Sequence, residues 1–61
     1  MEYVLYTNQE EYIVEYLFGS LITTKHISEA MRFTTVELAQ AFQKQLFVHY
    51  GLLCSINTFI E

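Results

Sequence analysis

The stretch Phe33-Thr34-Thr35-Val36-Glu37-Leu38-Ala39-Gln40-Ala41-Phe42-Gln43-Lys44-Gln45-Leu46-Phe47-Val48-His49-Tyr50-Gly51-Leu52 decides the fold, because it carries both ends of a helix and the apolar stripe between them. Thr34 and Glu37 stand at capping-box spacing, where the hydroxyl accepts from one orphan amide and the carboxylate reaches back to another. Phe33 and Leu38 have the spacing of a hydrophobic staple around that cap. Leu38, Ala39, Phe42, Leu46 and Tyr50 recur every three to four residues and share one helical face. Gly51 can adopt the left-handed conformation that ends a helix, with Leu52 beyond it reaching Phe47. The spacing predicts a helix from Thr35 to Tyr50, with His49 in the last turn where a cation complements the helix dipole.

Upstream of this helix the period changes from helical to alternating. Glu2 to Thr7 is rich in Tyr, Val and Leu and predicts a first strand, followed by a turn at Asn8-Gln9. A second strand runs from Glu10 or Glu11 to Phe18. Gly19-Ser20 is a two-residue loop of the type that matches strand twist, and it leads into a third strand from Leu21 to about Lys25. Ser28-Glu29-Ala30-Met31 fits one helical turn capped by Ser28. Downstream, Leu53 to Ile60 predicts a fourth strand.

The order β-β-β-α-β gives an α+β fold: a mostly antiparallel four-stranded sheet, in the order 4-1-2-3, with one helix on one face. The hairpins place the first three strands as a meander, and the helix is expected to return the fourth parallel to the first and third. Two-residue turns would set Leu5 opposite Tyr12, Tyr3 opposite Val14, Phe18 opposite Leu21 and Tyr16 opposite Thr23. The helix-covered face would then hold Tyr3, Leu5, Tyr12, Val14, Tyr16, Phe18 and Leu21, joined by Cys54, Ile56 and Ile60. The other face would show Val4, Tyr6, Ile13, Leu17 and Ile22, with Phe59 beside them. A slip of one residue would exchange the faces of a whole strand, and residues 27–33 could instead cover the second face.

Composition frames what such a surface is for. The chain has 61 residues, which make one domain, and 52% of them are hydrophobic and 16% aromatic. A body this small has little interior in which to hide so much apolar surface. Cys54 is the single cysteine, so no intrachain disulfide supports the fold. That leaves a partner as the natural means of covering the excess. The net charge is −4, with Lys25, Arg32 and Lys44 the only strong cations. Three scattered cations do not make a phosphate-binding footprint, which argues against nucleic acid. No apolar run approaches the ~20 residues of a membrane span, and the start of the chain lacks the basic and apolar regions of a secretion signal. The expectation is a cytoplasmic protein.

Candidate chemistry is sparse. Cys54 is expected to face inward on the fourth strand, where a neutral thiol is inert. His26, His49 and Cys54 are the whole stock of soft ligands, carried on separate elements and one short of a four-ligand zinc site. Glu11 and Glu15 share a strand face, but a sheet with one helix encloses no pocket in which they could work as an acid and a base. No catalytic residue, cofactor or metal is expected. The candidate site is a protein interface built from Val4, Tyr6, Ile13, Leu17 and Ile22, with Phe47 on the helix flank. Its occupant is expected to be a second copy of the chain, joined through the sheet face or a strand edge. The alternatives are a host protein bound by a monomeric inhibitor, or a small ligand or metal held by His26, His49 and Cys54.

The opening strand Tyr3-Val4-Leu5-Tyr6, the hairpin, and the segment Ser28-Glu29-Ala30-Met31-Arg32-Phe33-Thr34-Thr35-Val36-Glu37-Leu38-Ala39 give a layout that resembles small, mostly uncharacterised proteins encoded in phages and prophages of Gram-positive bacteria. The apolar hairpin Phe18-Gly19-Ser20-Leu21 departs from that pattern. The resemblance implies an accessory role, such as modulation of a host protein, and brings no catalytic residues with it.

Overall fold

A computed structural model describes residues 1–17 and 20–60, with Leu17 described by its backbone alone. The strands are β1 (Tyr3–Thr7), β2 (Tyr12–Leu17), β3 (Ser20–Thr24) and β4 (Cys54–Thr58), and the helix α1 spans Val36–Tyr50. They form one sheet in the order β3-β2-β1-β4, covered on one face by α1. The expected α+β class and strand order are those observed.

The direction of β4 differs from expectation: it pairs with β1 antiparallel, Leu5 opposite Ile56 and Tyr3 opposite Thr58. The physical reason is an extra leg of chain. After β3 and a 3-10 turn at Ile27–Glu29, Phe33 forms an antiparallel bridge with Tyr3. Its N–H donates to Tyr3 O at 2.8 Å, and Tyr3 N–H donates to Phe33 O at 2.9 Å. Met31 N–H donates to Ile13 O at 2.9 Å. Residues 31–33 therefore sit between β1 and β2 and run against β1, which reverses the direction of everything that follows.

Both hairpin registers also differ. The first loop has three residues, Asn8 to Glu10, and pairs Tyr6 with Tyr12 instead of Leu5 with Tyr12. Thr7 Oγ1 accepts from the N–H groups of Gln9 and Glu11, and Glu10 takes the left-handed backbone at φ 62. A turn closed by one left-handed residue is the usual three-residue hairpin. In the second hairpin Leu17 pairs with Ser20 and Tyr16 with Leu21, so the loop is shifted one residue toward the N-terminus. The expected pairing of Phe18 with Leu21 and the role of Gly19 fall on Phe18 and Gly19, which lie outside the described residues. Between Ile13 and Glu15 the ladder is interrupted at Val14. An extra residue there changes the phase of the strand, so Ile13 and Tyr16 both face α1.

These shifts rearrange the core. Leu5, Ile13, Phe33, Ala39 and Leu46 are buried together, with Tyr3, Tyr16, Leu21, Met31, Phe42, Leu52, Cys54 and Ile56 packed around them. Tyr12, which was expected inside, packs its ring at a tilt against Tyr6, 4.8 Å between centroids, on the opposite face. Leu38 and Ile60, also expected inside, are 55% and 72% exposed. Tyr50 lies at the margin of the core, 5.2 Å from the Tyr16 ring.

The helix ends follow from the same residues, displaced by one at the start. Thr35, not Thr34, is the cap, and its Oγ1 accepts from Leu38 N–H at 3.2 Å. That leaves Leu38 pointing outward and the Phe33–Leu38 staple unmade. At the other end Gly51 adopts φ 67 and donates its N–H to Phe47 O at 2.8 Å. The 3-10 turn before the helix has His26 at its cap position without a side-chain bond, so Ser28 does not cap it.

Candidate protein interface

The sheet face away from α1 is less open than the turn registers imply. Val4 points to it yet is fully buried, and Ile13 is fully buried on the helix side. Both are corrected from exposed to buried. By strand alternation Arg32, the neighbour of inward-facing Phe33, is turned to the Val4 side of the sheet. The Arg32 guanidinium lies over the Phe59 ring at 4.8 Å and approaches Glu2 at 3.9 Å. Thr24 Oγ1 donates to Glu29 at 2.8 Å, which holds the 3-10 turn against the same side. Tyr6 is half-buried against Tyr12, and nearby Glu10 adds to burial in raising its phenol above the ordinary range. Ile22 is open at 47% exposure, and the side chain of Leu17 lies outside the described residues. Of the five candidates whose side chains are described, Ile22 and Phe47 are freely exposed, and they lie on different elements, β3 and α1.

A more coherent surface lies along β4 and the adjoining flank of α1. Within the described residues β4 pairs only with β1, so its other side is a free edge. Asn8 N–H donates to Leu53 O and Phe59 N–H donates to Glu2 O. Odd-numbered residues thus turn their backbone groups toward β1. By the alternation of an antiparallel ladder, Cys54, Ile56 and Thr58 turn theirs outward. Gln43 reaches over from α1 and donates from Nε2 to Cys54 O. Next to this contact a groove of about 260 Å3 is lined by Gln43, Lys44, Phe47, Leu52, Leu53 and Cys54.

The chemistry of this side is mostly apolar, with Lys44 the one charged residue lining the groove. Phe47, Val48, Leu53 and Ile60 are all well exposed. From Gln45 to Ile60 there is no Asp, Glu, Lys or Arg, so every acidic residue of this −4 chain lies outside that stretch. An edge strand without charge or proline has none of the features that usually discourage pairing with another chain. Burial raises the pKa of the Cys54 thiol above its ordinary range, although the side chain is only partly buried.

His26, His49 and Cys54 are not brought together. Among the described residues no three His, Cys, Asp or Glu side chains lie close enough to share a metal ion. His49 sits in the last turn of α1, where the sequence places it. No described helix is long and apolar enough to cross a membrane. Sequence reasoning singled out Phe47 and Val48 on the helix and β4 as an edge, but it missed Leu53, Ile60 and Gln43. The signal that points to them is the uncharged run itself. The chain matches no family model, no curated protein and no solved structure.

Proposed function

We propose that this chain is a protein-binding module rather than an enzyme, and that it acts as a homodimer joined through the β4 edge and the adjoining helix flank. One observation carries the proposal: exposed Phe47 and Leu53 line one groove beside a free strand edge, within a run from Gln45 to Ile60 that has no Asp, Glu, Lys or Arg. Two bodies of charge −4 repel wherever their carboxylates meet, and this run is where they can approach without that cost. Sheet-face pairing is the weaker form of the proposal, because Val4 and Ile13 are withdrawn from that face. Once dimeric, the pair would still present Tyr6, Tyr12 and Ile22 on its outer sheets for a host protein in the cytoplasm.

Light scattering behind size exclusion, over a range of loading concentrations, tests this. A dimer has twice the 7.2 kDa of the chain. Phe47→Glu should return it to a monomer with an unchanged circular dichroism spectrum, because Phe47 is 53% exposed. A natural chain that stays monomeric at every concentration refutes the proposal.

A further inference from the structure

Granting the proposed self-association, we propose a defined geometry for it: two β4 strands pair antiparallel about Ile56, and Glu37 of each helix meets Lys44 of the other. The outward-facing residues Cys54, Ile56 and Thr58 are symmetric about Ile56. A two-fold axis there places Ile56 opposite its own copy and Cys54 opposite Thr58. Both are then pairs that exchange N–H and C=O bonds, so the two sheets become one of eight strands with closed symmetry. The Gln43 contact on Cys54 O need not break, because a carbonyl oxygen has two lone pairs.

The helices carry a second, independent complementarity. Glu37, Gln40, Lys44 and Phe47 recur at three to four residues and share one flank of α1. Lys44 and Phe47 place that flank beside β4, since both line the groove there. Two antiparallel helices crossing at Gln40–Ala41 bring Glu37 of one next to Lys44 of the other, twice. Neither residue has an ion-pair partner among the described residues. Gln43 sits over Cys54. At 1.5 Å per helical residue against about 3.4 Å per strand residue, the Gln40–Ala41 midpoint falls within about one strand residue of Ile56. The axis set by the strand and the axis set by the charges therefore nearly coincide.

The area is adequate. A specific dimer buries about 800 Å2 per partner, roughly a fifth of the 4218 Å2 this chain exposes. Each face of a 28 × 23 × 20 Å body carries about a seventh to a fifth of its surface, so the contact has to extend over one whole side.

In Thr58→Cys, mild oxidation should join the new thiol to Cys54 of the second copy. Within one chain those positions lie about 13 Å apart along the strand, beyond disulfide reach, so the product is a covalent dimer whose linkage peptide mapping identifies. Lys44→Glu should weaken the dimer about tenfold or more, and adding Glu37→Lys to the same chain should restore it. In the unaltered chain, the Ile56 and Thr58 amide protons should be protected from exchange and lose that protection on dilution.

A dimer that forms no bond to Cys54, or that joins the new thiol to its own copy, overturns the strand register while leaving self-association standing. Lys44→Glu without rescue by Glu37→Lys overturns the helix pairing. A chain monomeric at every concentration overturns the function as well as the geometry.

Discussion

Replacing Ile13 with Ala should remove much of the stability of this domain, whereas the same change at Ile22 should hardly matter. Both are β-branched strand residues of one hairpin, and simple alternation from its loop puts them on the same face. The interruption at Val14 separates them: Ile13 is fully buried under α1, and Ile22 is 47% exposed on the other side. Truncating a buried isoleucine to alanine costs about 2–5 kcal/mol, from lost burial and the cavity left behind. A chain of this length has a total stability of about 3–9 kcal/mol. Ile13→Ala at ~3 kcal/mol would therefore lower the melting temperature by about 12–24 °C. Ile22→Ala should stay within about 1 kcal/mol. Urea unfolding followed by circular dichroism measures both, at one fixed chain concentration because dimerisation makes stability concentration-dependent. Equal losses at the two sites, or a larger loss at Ile22, would show that β2 has no bulge and that its faces are exchanged.

Three further outcomes can be checked by the same unfolding measurement. Thr35→Ala should cost about 1 kcal/mol and Thr34→Ala less than about 0.5, since only the Thr35 hydroxyl accepts from the first turn. Gly51→Ala should cost about 1 kcal/mol; an added Cβ would meet no atom within 4 Å, so the loss comes from the left-handed backbone alone. Burial raises the folded-state pKa of Cys54 above that of the unfolded chain. The unfolded state then loses its proton first, so the stability this thiol contributes is present below the usual thiol range and lost as pH rises through it toward the folded value. Relative to Cys54→Val, the natural chain should lose stability as pH rises through the ordinary thiol range, and a difference that stays flat would refute the burial of the thiol.

The layout of the fold was legible because its strongest signals are local. Gly51 ends α1 as a left-handed cap, and the stripe Ala39, Phe42 and Leu46 finds the sheet, because each depends only on residues within a turn or two. Registers were harder. The first hairpin closes on Glu10 in a left-handed conformation, with no glycine or asparagine at that position to announce a third loop residue. The interruption at Val14 leaves no mark either, since valine is an ordinary strand residue. A sheet face is the sum of such small integers, so one unmarked residue was enough to move Ile13 inside and Tyr12 outside. The direction of β4 failed for a related reason. Met31 to Phe33 is too short to register as a strand, yet its bonds to Ile13 and Tyr3 reverse the path of the chain.

The β4 site, which replaces the sheet-face candidate, depends on different information. Membership of the apolar sheet face required every register to be right and the face to stay open: Ile13 left it through the register of the first hairpin, and Val4 stayed on it but is buried. The uncharged run from Gln45 to Ile60 requires no register at all. Whatever the pairing, a strand in that run brings an edge without carboxylates, and in a chain with seven acids against three strong cations the other elements have to carry them. Structure then adds what composition could not: that β4 lies at the rim of the sheet, that its outward backbone groups are centred on Ile56, and that Lys44 and Phe47 flank it. Electrostatics selects the side of the molecule, and hydrogen-bond alternation selects the register on it. Those are separate physical causes, so charge reversal at Lys44 and cross-linking at Thr58 can fail independently, and agreement between them would be hard to obtain from any other surface.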